Sequence, residues 1–245
     1  EYLVSVHYGA VDYYYPIVFD ADEKVVAVQM SVYDTTTSDE AIRVMLAHFI
    51  ISVAEEGISV TEVHLLANDG DRTYIGAEGS EVSSEVLTFT LPEGATDFSA
   101  PPDLMQDYLI LDNNRVADTL PMPPGERELV YSYELAVEHS GGFTINFHID
   151  YPTDRVEVLV EGEDIEIASE WLRPLGIVDS GSGQKFLRLS GENLPGGANI
   201  DVRFFDLSEN GGVTPVLWVI PFALALGVAI YLVLRKRRRV FQDSR

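Results

Sequence analysis

The C-terminal end of the chain carries an uncharged run that few folds can accommodate. Residues 214–234 contain no charged side chain, and five consecutive cations follow at once: Arg235, Lys236, Arg237, Arg238 and Arg239. About 20 apolar residues suffice to cross a hydrocarbon core of roughly 30 Å as an α-helix. Because basic residues concentrate on the cytoplasmic side of such helices, the pattern predicts a single-pass anchor with a cytoplasmic basic tail at 235–245.

Two aromatic residues suit the ends of this predicted helix. Trp218 lies near its outer end and Tyr231 near its inner end, and amphipathic rings are enriched at both membrane interfaces. The same orientation places residues 1–212 outside the cytoplasm. We therefore expect a cell-membrane protein with most of its chain on the extracytoplasmic side and the lipid bilayer as one partner.

The charges divide sharply between the tail and the rest of the chain. The last eleven residues hold six of the 16 cations and one of the 40 acids, which leaves residues 1–234 with a formal net charge of −29. A body this acidic is repelled by the phosphates of nucleic acids, so we expect that the protein does not bind nucleic acid. The chain also has no cysteine, which removes disulfides, thiol nucleophiles, cysteine-bound metals and covalent haem.

Short runs rich in Val, Ile, Tyr, Phe and Thr fill the acidic body, and many of them alternate apolar with polar residues, as in Leu87–Leu91. This pattern is typical of strands. We predict strands at residues 13–19, 25–33, 48–54, 60–66, 86–91, 129–135, 143–149, 156–160, 165–168, 185–189 and 200–205. The stretch 38–46 is short and is either a helix or a loop entering the next strand.

Strands at this spacing predict an all-β fold of two antiparallel, Ig-like β-sandwich domains plus the C-terminal transmembrane helix. Three prolines in Pro121–Gly125 suit a stiff linker between the sandwiches. The expected organisation is residues 1–8 as the last strand of an upstream β domain, sandwiches at 9–122 and 123–206, a spacer at 207–213, the helix at 214–234 and the tail at 235–245.

Several segments resemble a group of bacterial membrane-anchored envelope proteins. The resemblance lies in Tyr8–Tyr15, Val32–Thr36, Leu66–Asn68, Leu91–Ala95 and Pro124–Tyr133. Those proteins carry a carboxypeptidase-regulatory-like (transthyretin-like) domain followed by β-sandwich domains. The resemblance implies that this chain is a C-terminal portion of such a protein, and it implies no activity for any residue.

Catalytic and metal motifs are weak. The five histidines form no HExxH pair, although His48 and His64 lie on predicted strands and could approach each other across a sheet. Ser182 and Lys185 match the bare SxxK spacing of serine acyltransferases, but neither SDN nor KTG accompanies them. No GxSxG elbow or Gly-rich phosphate loop is present. We therefore predict that the protein is not an enzyme.

Two features remain as candidate binding sites. Asn68, Asp69 and Asp71 form an oxygen-rich loop that could bind calcium, but they do not complete an EF-hand, and Asn-Asp-Gly also favours a tight turn. Tyr13 and Tyr15 fall on one face of a strand, where they either contact a partner or pack inside the protein. No cofactor other than calcium is indicated.

These expectations converge on a membrane-anchored, extracytoplasmic structural or protein-interaction module. It would serve as an accessory subunit that docks on other envelope or membrane-complex proteins. The alternative is a surface protein that binds a metal ion or a carbohydrate through its acidic loops. A hydrolase that uses carboxylates or Ser182 ranks third.

Overall fold

The structure is a computed structural model that describes residues 2–19, 25–54, 57–77, 85–136, 142–163, 165–181 and 183–205. The predicted spacer, transmembrane helix and basic tail lie outside these residues, as do Trp218, Tyr231 and Arg235–Arg239. Among the described residues, no helix is long and apolar enough to cross a membrane.

The described residues are all-β, which confirms that part of the predicted fold class. They contain seventeen strands and one short 3-10 helix, Met105–Asp107. The strands are β1 (Tyr2–Tyr8), β2 (Val11–Ile17), β3 (Thr35–Thr36), β4 (Ile42–Ala54), β5 (Gly57–Asn68), β6 (Thr73–Tyr74), β7 (Leu87–Thr90), β8 (Ala95–Ser99), β9 (Tyr108–Leu111), β10 (Arg115–Asp118), β11 (Gly125–Leu135), β12 (Phe143–Ile149), β13 (Thr153–Glu161), β14 (Glu166–Ala168), β15 (Arg173–Asp179), β16 (Lys185–Leu194) and β17 (Ala198–Phe205).

A seven-stranded sheet forms the centre of the molecule, in the order β15-β16-β13-β4-β5-β11-β8. The long strands β4 and β5 form an antiparallel hairpin, and β11 pairs antiparallel with the whole length of β5. On the other side, β13 pairs with β4 in parallel. The sheet is therefore antiparallel except at this one junction.

This sheet corrects the prediction of two separate sandwiches divided at residues 122/123. Its strands β4 and β5 come from the predicted first domain, and β11 and β13 come from the predicted second. The proline segment is not a linker between bodies, because Met122 is buried and exchanges backbone hydrogen bonds with Tyr74. Because proline has no N–H, it cannot pair within a central strand of a sheet. The proline segment is therefore a short connection, and it leads directly into β11.

The larger hydrophobic core lies on one face of the central sheet, and a smaller cluster lies on the other: Ile50, Val63, Val130, Leu159 and Phe186. Two three-stranded sheets, β7-β10-β9 and β12-β17-β14, cover the face with the larger core and contribute side chains such as Phe89, Val116, Phe147 and Phe204. One continuous cluster of buried side chains joins all three sheets, as expected for sheets packed face to face. The larger core thus extends across the predicted domain boundary.

Two smaller sheets stand beside this core. Strands β3 and β6 form a short parallel pair, and β1 and β2 form a two-stranded hairpin whose turn is Gly9-Ala10. Gly9 has φ 62°, a conformation that glycine adopts without penalty. Residues 2–8 therefore pair with the next strand along this chain.

Most predicted strands are confirmed to within a few residues, but two segments differ. Residues 25–34 form no strand, since the backbone of Tyr33 is hydrogen-bonded to the hydroxyl of Tyr13 instead of to a neighbouring strand. Residues 38–46 are not a helix, because β4 begins at Ile42, as the loop alternative predicts. Six strands were not predicted: β3, β6, β8, β9, β10 and β15. In β15, Pro174 and Gly176 resemble turn residues.

Candidate functional site

A cluster of four polar side chains lies inside the core between β5 and β11. The strands are in register, with Glu62 opposite Tyr131, Val60 opposite Tyr133 and His64 opposite Leu129. Because side chains alternate along a strand, Glu62, His64, Tyr131 and Tyr133 all project from the core face. Each of the four residues is at most 5% exposed. The sheet therefore gathers one carboxylate, one imidazole and two phenols in a buried layer.

The carboxylate of Glu62 is the hydrogen-bonding centre of this cluster. The hydroxyl of Tyr133 donates to Oε1 at 2.6 Å, and the hydroxyl of Tyr131 donates to Oε2 at 2.8 Å. Nε2 of His64 lies 2.8 Å from the same Oε2. A buried carboxylate requires such donors, because an ionised group without partners is costly to bury.

The two tyrosines are held in their protonated, donating state. Burial, reinforced by the nearby charge of Glu62, raises the pKa of both Tyr131 and Tyr133 well above the ordinary value. Each phenol therefore keeps its proton at physiological pH and remains a hydrogen-bond donor. The cluster is a stable acceptor–donor network and contains no readily formed phenolate.

His64 has one nitrogen that the network does not use. Nδ1 is buried and has no hydrogen-bond partner among the described residues. The ring is fixed between aromatic neighbours, with ring centroids 4.8 Å from Phe89 and 5.6 Å from Tyr131. This packing fixes the orientation of the imidazole ring.

A small cavity of about 10 Å³ lies against this cluster, which is about the space that one water molecule needs. Its inner wall includes Glu62, His64 and Tyr131, and its outer wall includes His148 and Asp150. A cavity of this size holds a solvent molecule but no organic substrate. The remaining lining residues are Val44, Ala47, Phe89, Thr90, Ile149, Tyr151 and Thr153.

The outer wall is also hydrogen-bonded. Asp150 accepts bonds from the backbone N–H and the hydroxyl of Thr90, at 2.9 and 2.8 Å. Burial raises the pKa of Asp150 despite these bonds. Nδ1 of His148 lies 2.9 Å from Oδ1 of Asn199. Asp150 and His148 thus already have hydrogen-bond partners within the protein. No group of three or more metal-ligating side chains occurs in the described part of the chain.

The opposite face of the central sheet carries a second ionic cluster at the parallel junction. His48 of β4 is directly opposite Glu157 of β13, and its Nε2 lies 3.4 Å from Oε2 of Glu157. Arg188 of β16 donates to Oε1 of Glu157 at 2.5 Å. Burial alone would raise the pKa of Glu157, but hydrogen bonds and charges from His48 and Arg188 lower it to about 2.

His48 and His64 do not converge as the sequence suggested. Ala47 is opposite His64 across the β4–β5 hairpin, so the adjacent His48 projects from the other face. His64 contacts the core ring of Phe49, whereas His48 contacts Glu157. The two histidines therefore do not form a shared metal site, which the sequence had left as an open alternative.

The loop that starts at Asn68 is held by its own side chains. The amide of Asn68 donates to the carbonyls of Arg72 and Met122, each at 2.8 Å, and its Oδ1 accepts from the N–H of Gly70 at 3.0 Å. Asp69 accepts a bond from Nε of Arg43 at 2.5 Å. The side chain of Asp71 is 98% exposed. The three candidate calcium ligands thus have separate surroundings, and a guanidinium already neutralises Asp69.

The structure separates the roles of Tyr13 and Tyr15. The hydroxyl of Tyr13 lies 2.7 Å from Oγ1 of Thr73 and donates to the carbonyl of Tyr33 at 3.1 Å, so this residue fastens the hairpin to the body. Tyr15 is 47% exposed. Tyr2, at the open end, is 64% exposed and makes an edge-to-face contact with Phe19.

Comparisons with known proteins add little to this geometry. No family model and no curated protein matches the chain. One solved structure with some likeness is a "putative protease" from Parabacteroides distasonis, with a TM-score of 0.40 and 9% identity. The match covers 69% of this chain and 41% of that one. A likeness at this level carries no argument about fold or chemistry.

Sequence reasoning missed the Glu62 cluster and the Glu157 cluster. Glu62 and His64 stand in a plain strand pattern, Thr61-Glu-Val-His-Leu65, in which they look like residues of a solvated face. Strand β5 lies between β4 and β11 and is buried along its whole length, and nothing in its own short pattern indicates that burial. Ser182 of the SxxK match lies outside the described residues.

Proposed function

We propose that this protein is a membrane-anchored, extracytoplasmic interaction module, and that its β1–β2 hairpin is the surface that binds a partner. The observation that carries the proposal is the concentration of exposed apolar side chains on this hairpin. Of the seventeen large hydrophobic residues that are exposed in the described part of the chain, eight lie within residues 2–19. Such concentrations mark interaction sites, whereas isolated exposed hydrophobics are ordinary.

The hairpin has one wholly apolar face. Residues opposite each other across the two strands share a face, so the register groups the side chains into two sets. The first set contains Tyr2, Val4, Val6, Tyr8, Val11, Tyr13, Tyr15 and Ile17. The second set is mixed and contains Leu3, Ser5, His7, Asp12, Tyr14 and Pro16. Only the first set has the composition of a buried sheet face.

The body covers this apolar face only in part, since Val6 and Tyr8 near the turn are still 38% and 42% exposed. Near the turn, Val11 is 4% exposed and the hydroxyl of Tyr8 donates to Asp34 at 2.9 Å. Toward the open end, Tyr15 and Tyr2 are about half exposed or more. Since a two-stranded sheet is marginal without packing on its apolar face, we infer that a partner covers the open end.

Charge favours the hairpin as the contact surface. Within residues 2–19 the charged or titratable groups other than tyrosines are His7 and Asp12, which pair with each other at 2.8 Å. The chain as a whole has a formal net charge of −24. The hairpin is therefore a nearly neutral, aromatic surface on a strongly acidic protein, and it can approach a partner with little charge desolvation.

The rest of the proposal follows from the sequence. The uncharged run at 214–234 and the cations Arg235–Arg239 support a single-pass anchor with the body outside the cytoplasm. The resemblance to bacterial envelope proteins with a transthyretin-like domain supports the same location. The partner would then be another envelope or membrane-complex protein. The proposal includes no catalytic step, since the buried cluster at Glu62 has room only for a water-sized ligand.

Site-specific photocrosslinking of the full chain in native membranes tests this function. A photoreactive residue replaces Tyr15 on the apolar face, and the matched control replaces Ile110, which is 67% exposed on β9. We expect discrete crosslinked protein bands from position 15 and none from position 110. The same pattern at both positions, or no protein crosslink at position 15, would refute the hairpin as the interaction surface.

A further inference from the structure

The outer edge of β1 has the backbone groups that another strand needs. The two-residue turn makes Tyr8 and Val11 a hydrogen-bonded pair, and such pairs alternate along an antiparallel ladder. The N–H and C=O groups of Leu3, Ser5 and His7 therefore point away from β2. Among the described strands only β2 pairs with β1. Every residue of β1 is exposed except Val4, which is partly buried.

This edge lacks the devices that normally block strand addition. Proteins protect edges with proline, bulges or charged side chains. Strand β2 has Pro16 at an outward position, and the edge strand β15 has Pro174 and a bulge before Gly176. Strand β1 has no proline, no bulge and no charged residue except the titratable His7. Of these three strands, β1 alone is open to pairing.

The sequence of β1 is complementary to itself. Tyr2-Leu-Val-Ser-Val-His-Tyr8 reads nearly the same in both directions about Ser5. We propose that β1 pairs antiparallel with β1 of a second copy of this chain, about a twofold axis at Ser5. This pairing adds a second copy of this chain as a further partner of the hairpin, and it rests on the interaction function proposed above.

In this pairing most residues of β1 lie opposite a chemically similar residue of the second copy. Tyr2 lies opposite Tyr8 of the second copy, Val4 lies opposite Val6, and Ser5 lies opposite Ser5. Outward-facing residues form hydrogen-bonded pairs, so Ser5 with Ser5 and the two Leu3–His7 pairs supply about six backbone hydrogen bonds. The two apolar hairpin faces join into one four-stranded face, which exceeds the three strands that a sheet with one hydrophobic face needs for stability. Isologous twofold contacts of this kind are the commonest way in which soluble proteins dimerise.

Size and charge define how strong the contact is. Seven residues at about 3.4 Å each give an edge of roughly 24 Å, and such a strip falls short of the ~800 Å² per partner of a standard stable interface. The two acidic bodies also repel each other at long range, whereas the contacting edges bring no like charges together. The dimer is therefore weak and concentration-dependent, and salt strengthens it. A membrane anchor would raise the effective concentration of the two copies.

Disulfide trapping tests the proposed axis directly, because the chain has no cysteine of its own. Ser5→Cys in the full chain, purified in mild detergent, places two thiols across the axis. The Cα atoms of a hydrogen-bonded antiparallel pair lie about 5.5 Å apart, inside the range that a disulfide spans. The matched control is Tyr14→Cys, which lies opposite Ser5 on the same hairpin and is 60% exposed.

We expect Ser5→Cys to give disulfide-linked dimer about tenfold faster than Tyr14→Cys, since only the first thiol has a high local concentration of its partner. Leu3→Cys should crosslink with His7→Cys when the two variants are mixed, and faster than either does alone. Equal rates for Ser5→Cys and Tyr14→Cys overturn the proposal. So does the absence of preference in the mixed sample.

Analytical sedimentation measures the dimerisation of the chain without introducing a cysteine. Ser5→Pro removes the outward N–H at the axis and leaves the β1–β2 bonds in place, whereas Ser5→Ala keeps that N–H. We expect the unmodified chain and Ser5→Ala to dimerise with rising concentration and salt, and Ser5→Pro to stay monomeric. If the unmodified chain and both variants remain monomeric, the proposed dimer is refuted. If photocrosslinking from position 15 still captures another protein, the proposed function stands without it.

Discussion

Replacing Glu157 by glutamine should destabilise the protein strongly at neutral pH and hardly at all in acid. The carboxylate is 7% exposed, and His48 and Arg188 hold it at the parallel junction between β4, β13 and β16. Its pKa is lowered from 4.5 to about 2. At about 1.4 kcal/mol per pKa unit, the ionised group contributes on the order of 3 kcal/mol to the free energy of unfolding.

The pH dependence has a definite sign. A carboxylate whose folded pKa lies below its unfolded value stabilises the protein fully above the unfolded pKa of 4.5. That stabilisation is lost as the pH falls from about 4.5 toward about 2, because the folded state then also takes up the proton. Glu157→Gln therefore costs about 3 kcal/mol at pH 7. The difference from the unmodified protein disappears as the pH approaches 2.

Urea unfolding of the full chain in detergent, followed by circular dichroism and tryptophan fluorescence, measures this difference at a series of pH values. Glu170→Gln is the matched control, since the side chain of Glu170 is 81% exposed and its loss should change stability by at most about 0.5 kcal/mol. A loss for Glu157→Gln that stays constant from pH 7 to pH 3, or one no larger than that of the control, would refute this account of the junction.

Three further results are expected. Tyr133→Phe removes a 2.6 Å hydrogen bond to the carboxylate of Glu62, so chemical denaturation should show a loss of about 1.5–3 kcal/mol. Gly76→Ala adds a Cβ only 2.1 Å from a backbone carbonyl, at φ 94°, and should lower the thermal midpoint by several degrees through ~1–3 kcal/mol of strain. Calcium at millimolar concentration should shift the midpoint by less than about 1 °C in calorimetry, because Arg43 already neutralises Asp69.

The local pattern of the sequence predicted the strands but not their partners. Alternation and turn residues are properties of neighbouring positions, so β11, β12 and β17 could be located within a few residues. The parallel pairing of β13 with β4 joins segments that are more than a hundred residues apart. No local signal specifies such a contact, and the prolines before β11 therefore suggested a boundary where the sheet is in fact continuous.

The candidate site was hidden for the same reason. A glutamate and a histidine two residues apart on a strand look like a solvated face until the neighbouring strands are known. Pairing with β11 brings Tyr131 and Tyr133 over Glu62, and only then does the burial of a charge become understandable. The parallel pairing does the same for His48 and Glu157 on the other face. In contrast, the two faces of the β1–β2 hairpin could be predicted from alternation alone.

The way in which the hairpin is attached supports its role as a contact element. The hydroxyl of Tyr13 binds Thr73 and Tyr33, and the hydroxyl of Tyr8 binds Asp34, so both of these attachments lie in the half of the hairpin nearer its turn. The open end, with Tyr2 and Tyr15, makes few contacts with the body. A hairpin held at one end keeps its orientation while its apolar face and the edge of β1 remain accessible. Since burying that face would also stabilise the hairpin itself, binding and local order are coupled, and a partner should slow amide exchange across both strands.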